Sequence, residues 1–161
     1  MLLLRVFTPY VLFNFILVFS FSVTINSYVQ IQNINLIFYI IFHLTFIYFL
    51  FYQYHYSLFI LGFIYGVLLD IFLINEIGSH LINFLILILL YTQLKKYLFQ
   101  LTSFQISITI FITLNLILIS ELVFAFLIND IYFNFFQVIK YIIISFILFV
   151  PSLFLLNKID K

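Results

Sequence analysis

Apolar runs of bilayer-crossing length follow one another along this chain, broken only by short polar stretches, and they constrain its fold more than any other feature. A hydrocarbon core about 30 Å thick takes roughly 20 helical residues per crossing. The polar punctuation divides the runs into about six spans, near residues 6–24, 36–51, 57–74, 81–94, 104–128 and 133–156. Composition points the same way. The chain is 67% hydrophobic and 7% charged, with a mean hydropathy of +1.35, whereas ordinary globular domains are near half apolar and about a quarter charged. A soluble domain of 161 residues has too little polar surface to cover such a core. The predicted fold class is an all-α integral membrane protein, with about six transmembrane helices forming one compact bundle as a single domain over residues 1–161.

The basic residues choose the orientation. With six spans and both termini cytoplasmic, Arg5, Lys95, Lys96, Lys158 and Lys161 all face inward. Lys140 falls within a span, and the opposite side carries Glu76 and Asp130. This is the distribution that the positive-inside rule describes. Arg5 and the apolar run after it read as a first transmembrane helix. The run exceeds a secretory h-region and lacks a small-residue cleavage site.

Several function classes drop out on composition. The absence of cysteine excludes disulfides and thiolate chemistry. A net charge of +1 leaves no basic patch for nucleic acid. Neither a nucleophile elbow nor a phosphate loop occurs, and no two histidines sit at metal-ligand spacing. The chain reads as a non-enzyme without a cofactor. His43 reads as a hydrogen-bonded histidine inside the protein rather than a metal ligand. His55 and His80 read as loop residues.

All three glycines fall in one window, Gly62, Gly66 and Gly78, with Asp70 among them. Positions 62, 66 and 70 are four apart and share one helix face. Small residues there let a neighbouring helix approach closely. A carboxylate in an apolar span costs about 2.5–3.5 kcal/mol at the bilayer centre on insertion scales. Asp70 is either an end-of-helix group reaching interfacial water, or a buried group that gates a pocket or fixes a helix contact. The shared face with the glycines favours the second. Glu121, late in span five, and Lys140, early in span six, lie at similar depth on either side of the turn at Asn129-Asp130. An intramembrane ion pair between them is the expectation, with separate snorkelling of each as its alternative.

The text Gly62, Gly66-Val67-Leu68-Leu69-Asp70 and Glu76-Ile77-Gly78 resembles the third-span signature of the rod shape-determining MreD family. Glu76 stands where that family usually has proline. The resemblance implies a non-catalytic component of the bacterial cell-elongation machinery in the inner membrane. Its expected partners are the bitopic protein MreC and other elongation-complex membrane proteins, in support of peptidoglycan synthesis. Gly62, Gly66, Asp70 and Gly78 would then lie near the packing or partner-binding surface. The family is similar in fold to the substrate-binding subunits of energy-coupling-factor transporters, which supplies the alternative of a vitamin-type binding subunit. Such a subunit needs a small-residue face for its transport module, and Ala125 is the only alanine.

Overall fold

The computed structural model of the protein describes residues 9–26, 32–52, 57–73, 78–98, 100–130 and 134–159. These form six α-helices: α1 (Pro9–Asn26), α2 (Gln32–Tyr52), α3 (Ser57–Leu73), α4 (Ser79–Leu98), α5 (Ser103–Asn129) and α6 (Phe135–Ile159). Each expected span falls on one of them. Among the described residues four helical stretches are long and apolar enough to cross a membrane: Ile34–Tyr52, Ser79–Leu98, Ser103–Ile128 and Val138–Lys158. The segment Ser57–Leu73 is a shorter apolar helix.

The fourth helix departs most from its expected span. It begins at Ser79 rather than 81 and continues through Lys95 and Lys96 to Leu98. Its basic residues therefore occupy the last turn, where cations meet the negative end of the helix dipole, instead of a loop. His80 likewise belongs to the first turn of α4, not to a loop.

Local chemistry sets the ends of α5. Thr102 caps it with an extended backbone (φ −69°, ψ 159°), its hydroxyl accepting the Gln105 N–H while Gln105 Oε1 accepts the Thr102 N–H. This reciprocal pair satisfies donors that the first turn leaves without helical partners. The helix ends at Asp130 in the left-handed region (φ 54°, ψ 28°), whose N–H returns to the Ala125 carbonyl. Inside α6, Pro151 removes one helical donor.

Packing is centred on α2, which is buried continuously from Phe42 to Leu50 and touches α1, α5 and α6. Its inward rings meet α3 and α4 in an aromatic layer. Phe42 and Phe46 lie edge-on to Tyr65 at 5.2 and 5.7 Å, and Phe46 lies edge-on to Phe84 at 4.7 Å. Outward faces stay apolar: Phe146, Ile147, Val150 and Phe154 of α6 are all exposed. An apolar outer face matches acyl chains rather than water.

The closest seam joins α3 and α4, which run antiparallel. A methyl group on Gly62 would stand 2.5 Å from Ile88 Cδ1, and one on Gly66 would stand 2.4 Å from Leu81 Cα. Gly66 thus touches backbone, and only a residue without Cβ permits that approach.

Candidate functional site

At the end of the protein where α3 finishes and α4 begins, five ionisable side chains from four helices form one buried network. Asp70 opens it, fully buried near the end of α3. Its Oδ2 accepts the backbone N–H groups of Gly78 at 2.8 Å and Leu81 at 3.1 Å. Its Oδ1 accepts the His80 N–H at 2.9 Å and His80 Nδ1–H at 2.7 Å. The first turn of a helix has N–H groups with no intrahelical acceptor, and negative charge is favoured there. Asp70 is therefore a cap for α4 supplied by the preceding helix. The glycine stripe explains how it can reach: contact at Gly66 sets the start of α4 directly against the carboxylate one turn further along α3.

From Asp70 the network runs inward. His80 Nε2 lies 3.1 Å from Tyr39 Oη of α2. The Tyr39 hydroxyl donates to Glu121 Oε2 of α5, and Glu121 Oε1 lies 2.8 Å from His43 Nε2. His43 Nδ1–H closes the chain on the Tyr39 carbonyl at 2.8 Å, one turn back along α2. His43 is fully buried and Glu121 is 3% exposed. The His43 ring stacks on Phe84 at 5.3 Å, with Phe42 edge-on at 5.4 Å. Tyr141 of α6 packs against the Tyr39 ring from outside.

Beside the network a second polar tie joins α4 to α5. Asn83 Nδ2 donates to the Ile117 carbonyl at 3.1 Å, and the Ser120 hydroxyl donates to Asn83 Oδ1 at 2.7 Å. Both side chains line a groove of about 430 Å³ between α4 and α5, otherwise walled mainly by apolar residues such as Leu87, Leu90 and Leu116.

The residues singled out from the sequence divide into two groups. Gly62, Gly66, Asp70 and Gly78 meet at the α3–α4 seam, and Gly78 also abuts Ile128 of α5. Glu121 takes its partners from α2, where the sequence reading expected Lys140 of α6. Both its oxygens are engaged by His43 and Tyr39, whereas Lys140 lies on an exposed face of α6. The reason is geometric. Glu121 faces inward among the helices, and depth along two neighbouring helices says nothing about which way each side chain points. His43 is the hydrogen-bonded interior histidine it was read to be. Tyr39 has no expected role from the sequence, and His80 reads there as a loop residue; Tyr39 stands one turn before His43, and that spacing is the signal that points to it.

Among the described residues no three His, Asp or Glu side chains converge on a point as a metal ion requires. The network is linear, each group touching the next. Such a chain can hold helices together and can move hydrogen along itself. No family model, curated protein or solved structure matches this chain.

Proposed function

We propose that this protein is a non-catalytic membrane scaffold of the MreD type, which binds MreC in the bacterial inner membrane and helps organise peptidoglycan synthesis during elongation. One observation carries the reading. The described residues of the window that resembles the family signature act together, with Gly66 against Leu81 and Asp70 collecting the first turn of α4. A signature of this kind ties the end of one helix to the start of the next. The linkers between helices are short, so a partner meets helix faces and loop tips. Along its length α3 presents Ile60, Phe63, Ile64 and Ile71 outward, a surface suited to a single apolar partner helix.

The test is copurification. The tagged chain, coexpressed with the MreC of its own genome, is expected to retain MreC through detergent extraction. Phe63→Ala combined with Ile71→Ala should weaken that retention while protein level stays the same, because both side chains are exposed. Retention of a vitamin and a transporter energising module in place of MreC would overturn the scaffold reading.

A further inference from the structure

The buried network contains a proton count that its geometry enforces. Five contacts run in series: Asp70 Oδ1 to His80 Nδ1, His80 Nε2 to Tyr39 Oη, Tyr39 Oη to Glu121 Oε2, Glu121 Oε1 to His43 Nε2, and His43 Nδ1 to the Tyr39 carbonyl. Each contact needs one hydrogen between its two atoms. With none, two lone pairs face each other in a buried site; with two, hydrogens collide.

The outermost contacts are decided. A backbone carbonyl cannot donate, so His43 Nδ1 carries a hydrogen. Both oxygens of Asp70 accept backbone N–H groups, so Asp70 is an acceptor and His80 Nδ1 carries a hydrogen as well. Three inner contacts then need three hydrogens. Tyr39 owns one, and the other two are distributed over three sites: His80 Nε2, Glu121 and His43 Nε2.

Three arrangements meet that condition. With both imidazoles cationic, Glu121 is a carboxylate. With Glu121 protonated toward Tyr39, the tyrosine donates to a neutral His80 and His43 is the cation. With Glu121 protonated toward His43, that imidazole is neutral and His80 is the cation. Counting Asp70 as −1, the formal charge of the network is zero in every case. A neutral total suits a site walled by apolar residues, where an uncompensated charge is expensive.

We propose that this network is an internal proton-sharing unit, in which two hydrogens occupy three sites and a cation moves between His80 at the α4 terminus and His43 in the α2 interior. The transfer is balanced. His80 Nε2 gives its proton to Tyr39 Oη as Tyr39 gives its own to Glu121 Oε2, and Glu121 passes a proton from Oε1 to His43 Nε2. No heavy atom need change partner. Among the described residues the ionisable groups facing the unit are Tyr39 and His43 from α2, Asp70 from α3, His80 from α4, Glu121 from α5 and Tyr141 from α6. Among the described residues the His43 ring meets the rings of Phe42 and Phe84, which offer no onward hydrogen-bonding atom, so within them the unit relocates charge between its two ends. This inference stands on the network alone and does not depend on the scaffold reading.

The chain has three histidines and two glutamates, which makes the test specific. In a His55→Gln, Glu76→Gln background reconstituted in lipid nanodiscs, nitrogen-15 resonances of labelled histidine report only His43 and His80, and the carboxyl infrared band shifted by carbon-13 labelling of glutamate reports only Glu121. The imidazolium fractions of the two histidines and the carboxylic-acid fraction of Glu121 are expected to sum to two wherever the protein stays folded, with at least two of the three fractional. Glu121→Gln should leave one imidazolium in the network. With its amide toward His43 that ring is neutral and His80 is the cation, and with its amide toward Tyr39 the assignment reverses, so the two imidazolium fractions sum to one. A sum other than two, or three whole-number occupancies in the parent chain, overturns the proposal even if the glutamine variant does not fold. Histidine signals unchanged by Glu121→Gln would overturn it too.

Discussion

At the residue scale, the two helical glycines of α3 look equivalent in sequence and differ in what they touch. A Cβ on Gly62 would press on the far end of the Ile88 side chain, which can rotate away. A Cβ on Gly66 would strike the Leu81 Cα at 2.4 Å and its backbone nitrogen at 2.9 Å, and backbone cannot rotate aside. Alanine also gains roughly 0.8–1 kcal/mol over glycine in a helix interior. Gly62→Ala is therefore expected to change stability by about 1 kcal/mol or less, the propensity gain offsetting a small repacking. Overpacking a tight site usually costs about 1–3 kcal/mol, and Gly66→Ala should fall at or beyond the upper end of that range. Unfolding of both variants in mixed micelles measures the difference. Equal losses would mean that the helices separate freely at Leu81.

At the element scale, α4 depends on α3 for its start, whereas α5 carries its own cap in Thr102 and Gln105. The dependence makes α4 the helix most sensitive to one atom exchange elsewhere. Asp70→Asn keeps the shape but replaces an accepting oxygen by an NH₂ group that faces donor N–H groups. Hydrogen bonds to charged groups contribute about 1.5–3 kcal/mol each, so a loss of about 2–3 kcal/mol is expected. Amide exchange should accelerate at residues 80–82 and stay unchanged at 105–107, where the α5 cap is intact. Uniform acceleration in both helices would show that Asp70 supports the whole fold and not one helix end. The stripe Gly62–Gly66–Asp70 was legible in the sequence because a helix has a fixed period. That Asp70 would serve the backbone of the next helix was not, because the partner N–H groups belong to every sequence alike.

At the scale of the whole molecule, the alternating direction of successive helices brings the ends of α3 and α5 together with the starts of α2 and α4. This is why groups 41, 78 and 82 positions apart in the chain can hydrogen-bond. The same alternation puts Lys96 and Asp130 at opposite ends of α5's neighbourhood, the first in the last turn of α4 and the second at the close of α5. Single cysteines at these positions, in a chain with none of its own, should label from opposite sides of an intact membrane, with position 96 cytoplasmic. Labelling of both from the same side would break the up-and-down order, and labelling of position 96 from outside would invert the orientation.

Helix number, helix positions and the tight α3 face follow from the sequence by itself, because hydropathy, span length and a four-residue spacing are properties of consecutive residues. The partner of Glu121 was decided only by tertiary structure. Span depth placed Lys140 within reach of it, but the rotation of α5 about its axis turned the carboxylate toward His43 and Tyr39. Helical rotation is set by how neighbouring side chains interlock across several helices at once, here by the buried Ile110, Leu114, Ile117 and Leu118 of α5 and the tie from Asn83 to Ile117 and Ser120. In so uniformly apolar a chain no hydrophobic periodicity marks the inward face of α5, so packing alone selects which polar groups meet.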